Sequence, residues 1–351
     1  MIVLTSNEVK NMKEIFKCLA VIIGTIIGAG FASGKEIITF FNMYGNKGLL
    51  GIIIASFIFG LVVILGITVI NRKNIVDYKQ IVNNSKAISS ILQFFSVICF
   101  CIMVSGVGAF CEEQLNINFW HGAAFAAAIS YAMFLNKFKA IESISCLLVP
   151  FIVIGIIVLG FSNYEGLEII GNVRNMQISN GNTGNFFLSS VLYASYNSLI
   201  VIPILINFKK YNLSSKKVFI IGAMTSAILC FLMILIYNIN NLFYPEIVGV
   251  ELPNMMLASL LSNKIKIAYG IVMLIAIFTT AFSCGFSFLE MREKRNYEKN
   301  ALIMCIVAFA VSKIGFSNMI NICFPIFGFF GIFQIILILV IGCRGVRNEK
   351  K

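Results

Sequence analysis

One histidine, one tryptophan and 15 acidic residues among 351 leave several chemistries without their usual parts. His121 has no second histidine to share a metal with, and beside Trp120 it reads as an interfacial anchor. No nucleophile elbow is present, nor any phosphate-binding loop between a strand and a helix, so no enzyme is expected. Charged residues make up 12% of the chain, against roughly a quarter in a soluble domain. With 59% hydrophobic residues and a mean hydropathy of +0.93, the sequence is that of an integral membrane protein.

The net charge of +12 raises the question of a nucleic-acid partner. The basic residues fall in short clusters between apolar runs, not on an aromatic-interleaved face, so lipid headgroups are the expected partner and nucleic acid is not. The ten cysteines lie mostly inside apolar runs, and Cys99-x-Cys101 matches no standard zinc or redox spacing. They read as small packing residues, and no cofactor is expected beyond an ion.

A bilayer core of about 30 Å needs about 20 apolar residues per helix. Ten such runs occur, near 15–44, 48–70, 88–111, 119–135, 142–161, 184–206, 217–240, 265–289, 300–315 and 318–342. The first run, with its leading lysines and "GFAS", mimics a signal peptide, but the nine that follow favour a retained span. A cytoplasmic N-terminus leaves Lys35, Lys47, Arg174, Lys264, Lys266 and Lys313 outside and the remaining Lys and Arg inside, which predicts a cell-membrane protein with both termini cytoplasmic. The connections at 162–183 and 241–264 are too short for a separate domain, so one membrane domain is expected over 1–351.

Spans one to five fill about 14–161 and spans six to ten about 184–342. Five is odd, so the halves must run with inverted topology, an arrangement typical of secondary transporters whose opening spans are broken at the substrate site. Span one carries "GTIIGAGFASGKEI", with Gly24, Gly28, Gly30 and Gly34 at its centre and Lys35 and Glu36 after them. Each glycine weakens a helix by about 1 kcal/mol, and a break near Ile27 to Phe31 is the simplest resolution. Irregular backbone at that depth has to line a cavity or be buried in protein, which marks a polar site whose free amides suit a carboxylate. Small-x-x-x-small helix packing is the plainer alternative for the same glycines.

Span six, "SSVLYASYNSLIVIP", places Tyr193, Ser195, Tyr196 and Asn197 at mid-membrane ahead of Pro203, and a second break is expected near Tyr193 to Asn197. Ser189 and Ser190 are as readily explained by bonds to their own helix. In span eight, "AIFTTAFSCGFSF", Thr279 and Thr280 offer adjacent hydroxyls one turn after Ala276, oxygens of the kind a hard cation takes.

The first-span segment resembles the YkvI-type family of uncharacterised bacterial membrane proteins, grouped with amino acid permeases in the amino acid, polyamine and organocation superfamily that shares the LeuT fold. The resemblance implies an all-α fold of ten transmembrane helices in a 5+5 inverted repeat, with spans one and six discontinuous. It implies a sodium site from the Gly24 and Ile27 carbonyls with Ala276, Thr279 and Thr280, where the A-x-x-[ST]-[ST] spacing is intact. It implies a substrate site in which Gly28, Ala29, Gly30 and Phe31 meet a carboxylate and Tyr193, Ser195 and Asn197 add side-chain contacts. Span five has no lysine to replace sodium, and Thr25 and Phe31 stand where neurotransmitter transporters have asparagines, so a single sodium is expected.

Lys35 and Glu36 are expected beside the break as gating or vestibule charges, paired with each other or with a neighbouring span, or solvated. Glu112 and Glu113 are expected as a solvated pair at the outer end of span three, and Lys313 as a snorkelling side chain. The reading is a sodium-driven transporter of a small amino acid or similar zwitterion. A proton-coupled permease or exporter and a non-transporting, germinant-type receptor stand beside it; no cytoplasmic signalling domain is seen that would favour the receptor.

Overall fold

In a computed structural model, residues 6–81, 86–135, 137–166, 185–244, 246–290, 292 and 296–348 are described, and these are almost entirely helical, with no strand among them. Arg174 and most of the connection at 162–183 lie outside them.

The first apolar segment is not one helix. It forms α1 (Ser6–Ile26), the single turn α2 (Ala29–Ala32) and α3 (Lys35–Phe40). Then come α4 (Lys47–Arg72), α5 (Tyr78–Ile81), α6 (Lys86–Leu115), α7 (Phe119–Phe134) and α8 (Lys137–Gly166). The second half comprises α9 (Phe186–Leu205), α10 (Ser215–Leu242), α11 (Pro253–Leu261), α12 (Asn263–Glu290), α13 (Tyr297–Val311) and α14 (Phe316–Asn348). Among the described residues, six helical stretches are long and apolar enough to cross a membrane: Lys47–Arg72, Ser90–Leu115, Phe186–Tyr211, Ser215–Leu242, Asn263–Glu290 and Phe316–Cys343. The chain is a multi-pass membrane protein.

Three of the helices start at a side-chain cap. Asn118, Asn185 and Ser214 accept from backbone amides at the starts of α7, α9 and α10, satisfying donors that a helix leaves open. Large apolar side chains such as Phe57, Phe125, Phe151 and Ile306 point outward, as they do when lipid is the solvent. The interior is different, because polar residues concentrate where α1, α2, α9 and α12 meet. Ser33, Ser195, Asn197, Ser198, Thr279, Thr280 and Ser283 are all buried there.

Helices approach closely where side chains are smallest. A methyl on Gly60 of α4 would lie 2.9 Å from the Gly222 carbonyl of α10, and one on Gly222 would lie 2.9 Å from that of Gly60. This is small-residue packing of the kind membrane helices use in place of a hydrophobic drive.

One expectation fails. α9 runs unbroken from Phe186 to Leu205, through the Tyr193 to Asn197 stretch where an interruption was expected. The reason is local. No glycine lies in that stretch, and the polar side chains bond to their own helix: Ser190 to the Phe186 carbonyl, Asn197 to Tyr193 and Ser198 to Ser195. The helix tightens only after Pro203, into a 3₁₀ segment at Ile206–Tyr211.

Candidate functional site

The first segment leaves the helix twice. At Ile27–Gly28 the backbone turns extended, with Gly28 at φ −100° and ψ −164°, before α2 begins. The Ala29 amide, freed by that turn, faces the Met103 sulfur of α6 at 3.5 Å. At Ser33–Gly34 the chain turns again, and Gly34 has φ +85°, a left-handed value that favours glycine. The carbonyls released here have partners from the second half. Asn254 donates its amide to Ser33 at 2.8 Å and its side chain to Ala32 at 3.0 Å, and the Tyr269 hydroxyl donates to Ala32 at 2.6 Å. Ala29, Gly30 and Phe31 therefore sit in a short turn held at both ends, and α11 closes over it.

α12 crosses α1 at the first turn. The Thr280 hydroxyl lies 3.1 Å from both the Gly24 and the Thr25 carbonyls, and the Thr279 hydroxyl lies 3.0 Å from the Ala276 carbonyl. A methyl on Gly28 would fall 2.9 Å from Thr280 Oγ1, so the glycine permits the crossing. The structure thus brings Thr280 to Gly24, with Thr279 and Ala276 bonded to each other on the same α12 segment; the second α1 carbonyl on Thr280 is that of Thr25, where Ile27 was expected. Ser283, not singled out in the sequence, adds a hydroxyl 3.0 Å from that of Thr25. The donors are all oxygen and uncharged, a set that fits a hard monovalent cation.

Tyr193, Ser195 and Asn197 are all buried on α9, but at about 100° per residue Ser195 projects to nearly the opposite side from Tyr193 and Asn197, and its backbone lies against Gly331 of α14. Tyr196, between Ser195 and Asn197, makes the contact that matters: its hydroxyl donates to the Glu36 carboxyl. The Phe31 backbone hydrogen-bonds the same carboxylate. Glu36 also lies over Gly30, where a methyl would come within 2.7 Å of its Cγ. Tyr196 stacks between Phe324, 4.6 Å away, and Phe40, 5.5 Å away, while Tyr193 stands edge-on to Tyr196 at 5.4 Å.

Solvated vestibule positions for Lys35 and Glu36 do not match this placement. Lys35 is 4% exposed and Glu36 3%. The two do not pair: the Lys35 ammonium donates to the Val248 and Val250 carbonyls at 2.8 and 3.0 Å, while Glu36 turns inward. Adjacent residues on a helix diverge by about 100°, so one faces the covering loop and the other the interior. Glu112 and Glu113 are exposed at the end of α6, and the Lys313 ammonium sits over the Trp120 ring at 5.2 Å. Asn254, Tyr269 and Met103 were missed because single polar or sulfur-bearing residues in apolar runs carry no signal of their own.

No protein-family model matches the chain. Two Bacillus subtilis proteins resemble it in sequence. The uncharacterized membrane protein YkvI is 24% identical over 323 residues, covering 88% of this chain and 90% of YkvI. The uncharacterized protein YyaD is 24% identical over 328 residues, covering 89% and 92%. Among solved structures, the nucleobase-cation-symport-1 family transporter Mhp1 superposes with a TM-score of 0.64 at 13% identity, covering 88% of this chain and 74% of Mhp1. A manganese transporter of Eremococcus coleocola gives 0.63 at 11%, covering 96% and 81%. A Na⁺-coupled sialic acid symporter gives 0.58 at 12%, covering 93% and 78%. These neighbours are transporters, not enzymes, and the chain shares their fold.

Proposed function

We propose that the protein is a sodium-coupled secondary transporter that takes up a small amino acid or similar zwitterion by alternating access. The observation that carries this reading is the Thr280 hydroxyl on the Gly24 and Thr25 carbonyls, next to Thr279, at the point where α1 stops being a helix. Gly24, Ile27, Ala276, Thr279 and Thr280 would hold sodium, and the ion would tie α1 to α12 in one conformation only. The substrate would lie beside it, between the Gly28 to Phe31 turn and Tyr193, Ser195 and Asn197. Coupling needs no more than a shared preference of ion and substrate for that conformation.

Helix pairing supports a ten-span inverted repeat. α1 packs on α8 as α9 packs on α14, and α4 packs on α9 as α10 packs on α1. Likewise α6 packs on α14 as α12 packs on α8, and α6 on α7 as α12 on α13. Exchanging the halves preserves each pairing, as a duplicated, inverted transport domain requires. Both termini are then on the same side, which the lysine and arginine distribution makes cytoplasmic.

The test is uptake of labelled amino acids into proteoliposomes under an inward sodium gradient or an equal potassium gradient. Sodium-dependent uptake that Thr279→Ala and Thr280→Ala abolish is expected. Equal uptake under both gradients would favour the proton-coupled alternative, and binding without uptake would favour a receptor.

A further inference from the structure

The Glu36 carboxyl stands in the turn where a substrate carboxylate was expected to dock. It hydrogen-bonds the Phe31 backbone, lies against Gly30 and accepts from Tyr196, so the chain's own carboxyl occupies that turn. A second carboxyl group brought to the same turn would have to displace Glu36 or crowd against it in a medium of low polarity.

Glu36 also has no cation. Its neighbour Lys35 is committed to the Val248 and Val250 carbonyls, and among the described residues no other lysine or arginine pairs with it. A carboxyl buried without a cation is costly to ionise, and a positive group brought beside it would offset that cost. Around it stand the rings of Tyr196, Tyr193, Phe40 and Phe324, an aromatic lining of the kind that surrounds bound ammonium groups. Tyr193 is 3% exposed, and its hydroxyl lies near Glu36 with Tyr196 and Asn197 as its polar neighbours. A divalent metal fits poorly, since no group of three or more His, Cys, Asp or Glu side chains converges anywhere among the described residues.

We infer that Glu36, with Tyr193 and Tyr196, is the recognition site for a protonated amino group, so that the substrate docks by its ammonium and needs no carboxylate. This rests on the transport reading above and deepens it: the substrate class widens from amino acids to small primary amines. Gly30 is then a glycine because the Glu36 side chain needs its space.

The test is thermal unfolding of the purified full-length protein in detergent. It compares sodium with potassium chloride and then adds probes in sodium: ethanolamine and phenylethylamine, free amino acids, amino acid methyl esters, and N-acetyl amino acids. Stabilisation is expected from members that keep the amino group, with or without a carboxylate, and not from the N-acetyl compounds. Glu36→Gln keeps the shape and can still accept from Tyr196; it should raise the half-maximal amine concentration about tenfold or more, as loss of a charge-assisted bond does. Tyr196→Phe, which retains the carboxylate, should have a smaller effect in the same direction. Sodium-dependent stabilisation retained in both variants shows that they are folded. An amine effect without a sodium effect supports the Glu36 site and removes only the sodium coupling. N-acetyl amino acids binding as well as free ones, an unchanged amine response in Glu36→Gln, or no response of the wild type to any amine overturns the proposal; in the last two cases Glu36 is better regarded as a proton carrier.

Discussion

The Thr280 hydroxyl is held between the Gly24 and Thr25 carbonyls, 3.1 Å from each. One hydroxyl thereby ties α12 to the last turn of α1. In the proposed cycle the same oxygen turns to sodium, and the α1 carbonyls exchange a hydrogen bond for an ion contact. Thr280→Val removes both options while keeping the shape. Its melting temperature should be the same in sodium and in potassium chloride, whereas the wild type should melt higher in sodium. The lost hydrogen bond alone should lower stability by about 1 kcal/mol.

Gly28 and Gly30 answer to different neighbours, and their alanine variants should part accordingly. A methyl on Gly28 would press on Thr280, and one on Gly30 on Glu36. Each overpacks a filled interior, with a cost of about 1–3 kcal/mol. Gly28→Ala should blunt the sodium-dependent rise in melting temperature and spare the response to amines at saturating sodium. Gly30→Ala should do the reverse. Identical effects of the two would mean that the turn behaves as one unit and that neither contact is specific.

Lys35 fastens α3 to the loop before α11 through two carbonyls, Val248 and Val250, and its ammonium is drawn to Glu251 as well. Glu251 in turn accepts from the Ser317 amide at 2.7 Å, which ties in α14. Lys35→Met should release this cover without unfolding the helices beneath it. Amide hydrogen exchange is expected to speed up about tenfold or more over 246–261, corresponding to about 1.4 kcal/mol of local opening. Exchange over α12 should not change.

The sequence carried some of these features and hid others for physical reasons. A cluster of glycines is expensive in a helix, so the interruption of the first segment was legible, and the A-x-x-T-T spacing was legible as a set of oxygens on one helix face. The continuity of α9 was not. Asn197 and Ser198 suggest an interruption at mid-membrane, yet each is satisfied by a carbonyl three or four residues earlier. The burial of Glu36 was not legible either. Standing next to Lys35 in sequence, it reads as half of a solvated pair, and only the tertiary placement of Tyr196 reveals that the two charges part company. Partners distant in sequence, such as Asn254 and Ala32, leave no trace in a single chain.

Gln334 of α14 donates to the Tyr78 hydroxyl of α5 at 2.7 Å, and both side chains are buried. α5 follows α4, which runs the length of the bundle away from α3, so this contact closes the end opposite the Lys35 latch. A transporter that alternates needs a seal at each end that opens in turn. Tyr78→Phe strips Gln334 of its acceptor and leaves a buried amide donor unpaired, a change that costs about 1–3 kcal/mol. Gln334→Leu should cost a similar amount. The double variant should cost less than the two together, because the second change removes the group that the first left unsatisfied. Denaturation of the four proteins gives this coupling directly, and strict additivity would show that the contact seals nothing. If it is a seal, Tyr78→Phe should also speed hydrogen exchange in α5 and leave the 246–261 segment protected, the mirror image of Lys35→Met.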